Sequence, residues 1–105
     1  MSDNQTYFEF QVEKTAAVSA GTAAAPKYPA ELRAANIEGE VLAQFTVDTT
    51  GAPVMATFKV LKSTHDLFTL AVKNALPSMH FNPAQVGGRP VRQLVQMPFN
   101  FNLSK

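Results

Sequence analysis

A chain of 105 residues fits a single domain with one modest core, since folding at this size buries roughly 60 to 70% of the surface that the unfolded chain exposes. Its hydrophobic content of 46%, against 16% charged residues, excludes general disorder, and its formal net charge of +1 argues against nucleic acid or anionic lipid as a partner. Because the chain has no cysteine, disulfides, thiolate metal sites and a cysteine nucleophile are excluded.

The N-terminal part of the chain is predicted to hold one strand and a linker. Residues Tyr7 to Lys14, YFEFQVEK, alternate apolar and polar side chains, which is typical of a strand. Residues 15–26 are almost all small, which predicts a flexible linker rather than an alanine-rich helix. The predicted division is an extension with a candidate strand (1–14), a linker (15–26) and a domain (27–105). Neither a signal peptide nor a membrane span is recognisable, so the chain as given is expected to be soluble.

A short helix and a β-hairpin are predicted next. Pro29 suits the first turn of a helix, which is expected to end by about Asn36. From Glu40 onward the apolar side chains recur at every second position, which predicts a strand. Asp48 to Gly51, DTTG, is a turn by composition, and the alternation resumes from Val54. These features together predict a hairpin.

A longer helix and a last strand complete the predicted elements. Ser63 or Thr64 is placed to cap the helix, which is expected to stop at Pro77. His80 to Val91 contains two proline and two glycine punctuations and is predicted to be a loop. The remainder, VRQLVQMPFNFNL, alternates again and is predicted to be a long strand.

Two residues of the last strand do not fit a regular central strand. Gln93 interrupts its apolar face, which predicts a bulge or a place near the margin of the sheet. Pro98 has no amide hydrogen to give to a second neighbour, so the strand is predicted to lie at an edge. The right-handed crossover rule then predicts an α+β fold with two helices on one face of a three-stranded sheet, in the order 2-1-3, with room for an extra N-terminal strand.

The polar clusters of the sequence favour structural explanations over catalysis. His65 lies beside Asp66, but no nucleophile or metal partner completes a site, so both His65 and His80 are interpreted as cap or turn residues. Glu38 and Glu40 straddle a glycine in a turn, and Gly87-Gly88-Arg89 precedes a strand rather than a helix, which favours a turn over a phosphate loop. The sequence therefore predicts no catalytic residue, no metal site, no cofactor and no enzyme.

The edge strand is the strongest functional indication in the sequence. Bare strand amides and carbonyls recruit another chain by β-augmentation. Alternatively, the edge is protected by the strand predicted at Tyr7 to Lys14, either within one chain or by exchange between two copies. The residues leave these two hypotheses open.

Taken in order, the stretches APKYP, IEGEVLAQFTVDTTGAP, LFTLAVKNAL, HFNPAQVGGRPV and MPFNFNL resemble the carboxy-terminal domain of TonB-type energy transducers. The resemblance covers Pro26 to about Leu103. It implies a short helix, a hairpin, a second helix and a last strand. It departs from the family pattern at Ala25, where some transducers have glutamine, and the residues given include neither the membrane anchor nor the proline-rich spacer expected of a transducer.

The resemblance also implies a function. The chain would be a periplasmic domain of a protein anchored in the inner membrane of a Gram-negative bacterium. It would bind the TonB box of outer-membrane transporters, and inner-membrane ion-driven motor proteins would supply force for uptake of siderophores, vitamin B12 or similar nutrients. The partner-binding residues implied are Pro26, Lys27, Tyr28, Pro29, Arg89, Val91, Arg92, Gln93, Leu94, Val95, Gln96 and Met97. The alternative is a self-associating structural or sensory module that does not engage a transporter.

Overall fold

The computed structural model describes residues 5–19 and 26–103. Its elements are β1 (Thr6–Tyr7), β2 (Ala17–Val18), α1 (Ala30–Ala34), β3 (Gly39–Val47), β4 (Pro53–Ser63), α2 (Asp66–Ala75), β5 (Phe81–Asn82), β6 (Ala84–Val86) and β7 (Arg89–Phe101). Among the helices of these described residues, none is long and apolar enough to cross a membrane.

The main sheet has β3 at its centre. β3 pairs antiparallel with β4 on one side and with β7 on the other, and β1 adds to the far side of β7. The order β4-β3-β7 is the predicted order 2-1-3, and α2 forms the crossover between the two outer strands. This confirms the α+β fold class. The short strands β1 and β6, which both pair with β7, extend the predicted sheet.

The core lies between the helices and one face of this sheet. Along β3, the side chains of Val41, Ala43, Phe45 and Val47 are fully buried, as the period of two predicts. Phe68 of α2 lies over them and stacks on Phe101 at a centroid distance of 4.3 Å. The core residues are Leu32, Val41, Ala43, Phe45, Val47, Phe68, Val72, Leu76, Met79, Phe81, Phe99 and Phe101. Both helices therefore pack on one face of the sheet, as predicted.

The β3–β4 ladder is irregular. Gln44 pairs with Lys59 and Thr46 with Val54, so that residues 55–58 of β4 stand opposite Phe45 alone. The hydroxyl of Thr57 accepts a hydrogen bond from the Thr46 N–H at 2.9 Å and donates one to the Val54 carbonyl at 2.6 Å. A side chain thus replaces the missing backbone partner in this bulge.

The predicted turn at Asp48 joins β3 to β4. One carboxylate oxygen of Asp48 accepts hydrogen bonds from the Thr50 N–H at 2.9 Å, the Thr50 hydroxyl at 2.6 Å and the Ala52 N–H at 3.0 Å. Burial raises the pKa of Asp48, whereas these hydrogen bonds and the nearby Arg92 guanidinium lower it. The lowering is the larger effect, so the pKa of Asp48 lies below its usual value. The ionised carboxylate therefore stabilises the turn.

Replacing this carboxylate by an amide, Asp48→Asn, is expected to lower the free energy of unfolding by about 1 kcal/mol at neutral pH, because a charge-assisted acceptor is lost. Since the folded-state pKa is depressed, the contribution is complete above the unfolded-state pKa of about 3.9 and is lost as the pH falls through the folded-state value. Urea denaturation at pH 7 and pH 3 measures the difference. An equal difference between the two proteins at both pH values would contradict this account.

The cap of α2 and the loop that follows it differ from the prediction. The N-cap is His65, whose Nδ1 accepts a hydrogen bond from the Leu67 N–H at 3.0 Å, so its interpretation as a cap residue is confirmed. Ser63 and Thr64 do not cap the helix. The Thr64 hydroxyl accepts instead from the Glu40 N–H at 3.0 Å, and the Ser63 hydroxyl donates to the His65 carbonyl at 3.0 Å. The predicted loop from His80 to Val91 contains β5 and β6, which bury Phe81 and Ala84.

The N-terminal segment also corrects the prediction. The predicted strand from Tyr7 to Lys14 is wrong for most of its length. Within it, only Tyr7 belongs to a strand, Glu9–Gln11 forms a 3-10 turn, and Lys14 makes a single isolated bridge with Gln85. The interpretation of residues 15–26 as a linker does not hold for residues 15–19, since β2 pairs antiparallel with β5 and Val18 packs against the core. Residues 20–25 of that predicted linker lie outside the described residues.

Candidate partner-binding edge

The backbone directions of β3 determine those of β7. In β3, the N–H groups of Glu40 and Thr46 donate to the side chains of Thr64 and Thr57 on the β4 side. Because successive residues of a strand point in opposite directions, the odd-numbered residues of β3 direct their backbone groups toward β7. Phe45 is one of these, and it stands opposite Val95.

The same alternation leaves the even-numbered residues of β7 facing outward. In an antiparallel pair, two opposite residues exchange both hydrogen bonds or neither. Val95 therefore bonds to β3, whereas Leu94 and Gln96, opposite Thr46 and Gln44, direct their N–H and C=O groups away from the sheet. Pro98 also occupies an outward position, where its missing N–H leaves the β3–β7 ladder intact, as predicted for an edge strand.

We call the backbone of Leu94 to Asn100 on this side the outer edge of β7. β1 runs parallel to β7 just before it, with Thr6 opposite Arg92 and Tyr7 opposite Gln93. Within residues 5–19 and 26–103, no strand pairs with the outer edge beyond Leu94, where β1 ends. This edge is where the described part of the sheet can accept another strand.

The predicted partner-binding strand, Arg89 to Met97, falls into three parts. Its first three residues, Arg89 to Val91, pair with β6 through a two-residue turn at Gly87 and Gly88. The next two, Arg92 and Gln93, lie beside β1. In the remaining part, Leu94 and Gln96 direct their backbone groups outward, whereas Val95 and Met97 direct theirs toward β3. Val95 and Met97 point into the core face and are half-buried, whereas Leu94 and Gln96 lie on the opposite face.

Gln93 has a structural environment that the sequence only partly indicated. Its side chain is 2% exposed, and its Oε1 accepts a hydrogen bond from the Ala16 N–H at 2.7 Å. It stands opposite Val47, the last residue of β3, in a ladder that runs without interruption. The expected place near the margin of the sheet is therefore correct, and the alternative of a bulge is wrong, because the ladder has no extra residue here. The N-terminal segment provides the hydrogen bond that the buried amide oxygen needs.

Tyr28 is held at the opposite end of β7 from Arg89. Its ring makes edge contacts with Phe68 and Phe101 at centroid distances of 5.6 and 5.8 Å, and its hydroxyl donates to the Ile37 carbonyl. The Arg33 guanidinium lies 5.3 Å from the ring centroid. Desolvation, assisted by the Glu38 carboxylate and opposed by Arg33, raises the pKa of Tyr28.

These contacts join α1 to the end of β7. Pro29 is the N-cap of α1, Lys27 is exposed and Pro26 is half-buried. The structure thus places Pro26 to Pro29 near Phe101, whereas Arg89 is twelve residues away along the same strand. The two groups of predicted site residues are not brought together into one cluster.

The other polar candidates have structural contacts. The Glu38 carboxylate accepts from the Leu103 N–H at 2.7 Å, and Glu40 forms an ion pair with Lys62 at 3.0 Å. Gly39 lies so close to α2 that an added Cβ would be 2.6 Å from Cβ of Thr64 and 2.8 Å from Phe68. Among the residues that the structure describes, no group of three His, Cys, Asp or Glu is placed to hold a metal ion.

One feature beside the outer edge was missed from the sequence. The rings of Phe8 and Phe10 stack at a centroid distance of 5.7 Å and are 50% and 84% exposed. Together with Glu9, they line a cleft of about 280 Å³ over Leu94 and Gln96. The sequence did contain one indication of this turn: Gln11 lies three residues after Phe8, and its side chain accepts a hydrogen bond from the Phe8 N–H.

Comparisons with known proteins agree with this architecture. A family model described as Gram-negative bacterial TonB protein C-terminal matches residues 24–103. The TonB C-terminal domain of Pseudomonas aeruginosa is similar at 30% identity and a TM-score of 0.67, covering 79% of this chain and 83% of that one. The corresponding domain of Helicobacter pylori is similar at 27% identity and a TM-score of 0.54, covering 76% and 71%. No curated protein matches the chain.

Proposed function

Because the chain belongs to the family of Gram-negative bacterial TonB C-terminal domains, we propose that it is the periplasmic partner-binding domain of a TonB-type energy transducer. Its partner is the TonB box of an outer-membrane transporter, which docks by adding a strand to the outer edge of β7. In a full-length transducer, an inner-membrane anchor and ion-driven motor proteins would supply the force that opens the transporter for its nutrient. The role is binding rather than catalysis.

The observation that carries this proposal is the direction of the β7 backbone. Gln96 and Asn100 present N–H and C=O groups on the side away from β3, and no strand among the described residues takes them, whereas the Leu94 N–H adjoins the end of β1. Main-chain hydrogen bonds to such an edge give affinity, and the side chains on either face give selectivity. Half-buried Val95 and Met97 on one face, and Leu94 on the other, offer apolar contacts to alternate residues of an incoming strand.

An NMR titration tests the proposal. Isotope-labelled chain is titrated with a panel of TonB-box peptides and with scrambled peptides of the same composition. Saturable shifts confined to Arg92 to Asn100 are expected for the TonB-box peptides alone. If no peptide shifts these amides, either in this chain or in a chain that lacks residues 1–11, transporter docking at β7 is refuted.

A proline substitution gives a sharper test of the backbone contact. Gln96→Pro removes an outward N–H and repeats at Gln96 what the chain already has at Pro98, so the fold is expected to persist. Peptide affinity is expected to fall at least tenfold, roughly the loss of one well-formed hydrogen bond and its geometry. Gln96→Ala keeps the amide and is the matched control, for which affinity should stay within about twofold. Equal affinities of the two variants would contradict strand addition at this position.

A further inference from the structure

The segment that precedes the residues matched by the family model has two parts with different attachments. Residues 13–19, which we call the anchor, form the part that is bound more extensively. The Gln85 carbonyl accepts from the N–H groups of Glu13 and Lys14 at 2.8 and 3.2 Å, and the Gln85 N–H donates to Lys14 at 2.9 Å. The Glu13 carboxylate accepts from the Gly87 N–H at 2.8 Å. With Ala16 bonded to Gln93 and β2 paired with β5, the anchor is bound to the domain along its length.

Residues 5–11, which we call the arm, are attached much less extensively. The arm pairs with β7 at two positions, and its turn closes on itself, since the Phe8 N–H donates to the Gln11 side chain at 2.9 Å and the Gln11 N–H donates to the Phe8 carbonyl at 2.9 Å. Its two phenylalanines stay exposed, and the cleft separates their turn from Leu94 and Gln96. Apart from the half-buried Tyr7, little apolar surface therefore holds the arm in place.

The arm lies at the start of the outer edge of β7. β1 lies beside Arg92 and Gln93, and the turn that follows lies over Leu94 and Gln96, which are also the first residues that an incoming strand would meet. Two strands cannot take the same side of β7 at the same residues. A strand that docks along Arg92 to Gln96 must therefore displace the arm.

We propose that the arm is a displaceable internal strand, which covers the β7 edge from Arg92 to Gln96 in the absence of a partner and is replaced when a partner strand binds. The partner half of this inference rests on the proposed function; the covering of the edge by the arm does not. Because the anchor stays bound when the arm leaves, the arm remains close to the edge and rebinds when the partner dissociates. The arm thus protects a strand edge that would otherwise recruit unrelated chains.

The first experiment uses the arm itself as the probe. A chain lacking residues 1–11 retains the anchor, and a synthetic peptide of residues 1–12 is added to it. We expect amide hydrogen exchange at Arg92 and Leu94 to be faster in the truncated chain than in the intact one. The peptide is expected to bind the truncated chain with saturable shifts at Arg92 to Gln96 and not to bind the intact chain.

The second experiment measures competition. If the arm covers the edge in about nine molecules of ten, removing it should tighten the binding of a TonB-box peptide about tenfold. Tyr7→Pro removes the Tyr7 N–H from β1 while keeping the full chain length, and it should also tighten the binding of the TonB-box peptide. Tyr7→Phe keeps both the Tyr7 N–H and the ring and is the matched control, for which the affinity should change less than twofold.

The outcomes separate this inference from the proposed function. Unchanged exchange at Arg92 and Leu94 on truncation, together with no binding of the 1–12 peptide, would overturn the arm proposal even if TonB-box peptides bind. Binding of the 1–12 peptide without binding of any TonB-box peptide would support the arm and refute transporter docking. Equal affinity of a TonB-box peptide for the intact and truncated chains would overturn displacement.

Discussion

Replacing Phe68 with alanine is expected to lower the free energy of unfolding by about 3–5 kcal/mol, the usual cost of deleting a buried aromatic side chain. The Phe68 ring is fully buried, stacks on Phe101 and contacts Tyr28 at its edge. It therefore joins α2, the segment before α1 and the end of β7. For a domain of this size, the melting temperature is expected to fall by roughly 12–25 °C.

Leu70→Ala is the matched control for this prediction. Leu70 is on the same helix but is 50% exposed, so its truncation removes little buried surface and should cost less than about 1 kcal/mol. Thermal and urea denaturation of the three proteins measure the difference. A loss for Phe68→Ala no greater than that for Leu70→Ala would show that the aromatic cluster does not hold these elements together.

Gly51→Ala is expected to have the second large effect on stability, about 2–5 kcal/mol. The φ angle of Gly51 is +89°, a region that costs a residue with a Cβ about 1–2 kcal/mol. An added Cβ would also lie 2.0 Å from the carbonyl oxygen of Phe81, which requires the turn and β5 to separate, at a further cost of about 1–3 kcal/mol. The separation would weaken the hydrogen bond of 2.9 Å from the Phe81 N–H to the Gly51 carbonyl.

Gly87→Ala distinguishes the two contributions. Gly87 also has a positive φ, +60°, but an added Cβ would meet no atom within 4 Å. Its replacement should therefore cost only the backbone term, about 1–2 kcal/mol. Urea denaturation of both variants gives the comparison. Equal losses would mean that the contact with Phe81 is relieved without cost and that the turn does not hold β5 in place.

The sequence was sufficient to predict the main sheet because its signals there are local and redundant. The alternation in β3 and β7 agrees with the turn at Asp48 and with the outward place of Pro98, and the right-handed crossover then fixes the order of the strands. Each of these features depends on residues that are neighbours in the chain. The family resemblance, carried by ordered motifs over the same stretch, agrees with them.

The N-terminal segment could not be predicted in the same way, since its structure depends on distant residues. Alternation from Tyr7 to Lys14 predicts a strand only if one face is buried, but the rings of Phe8 and Phe10 have no core to enter. Gln93, in contrast, was identified as an exception to the apolar pattern. Its partner, the Ala16 N–H, is 77 residues away in the sequence, and nothing local indicated it.

The candidate site was predicted in part for a related reason. Arg89 to Met97 lie together because they are consecutive in one strand, and their backbone alternation follows from the register with β3. Tyr28 was assigned to the same site only through the family motif. Its packing against Phe68 and Phe101 places it at the opposite end of β7 from Arg89. The separation of Tyr28 from Arg89 in space does not follow from their spacing in the sequence.

The bulge in β4 has a consequence for polymerisation. A sheet with two regular edges can add a strand on each side, and repeated addition leads to open filaments. In this domain, residues 55–58 stand opposite Phe45 alone, and the Thr57 side chain interrupts the ladder, so β4 is distorted along much of its length. A bulged strand is a poor template for another chain. If β7 accepts a partner strand as proposed, addition to β4 at the same time is therefore disfavoured, and we expect such complexes not to extend into filaments.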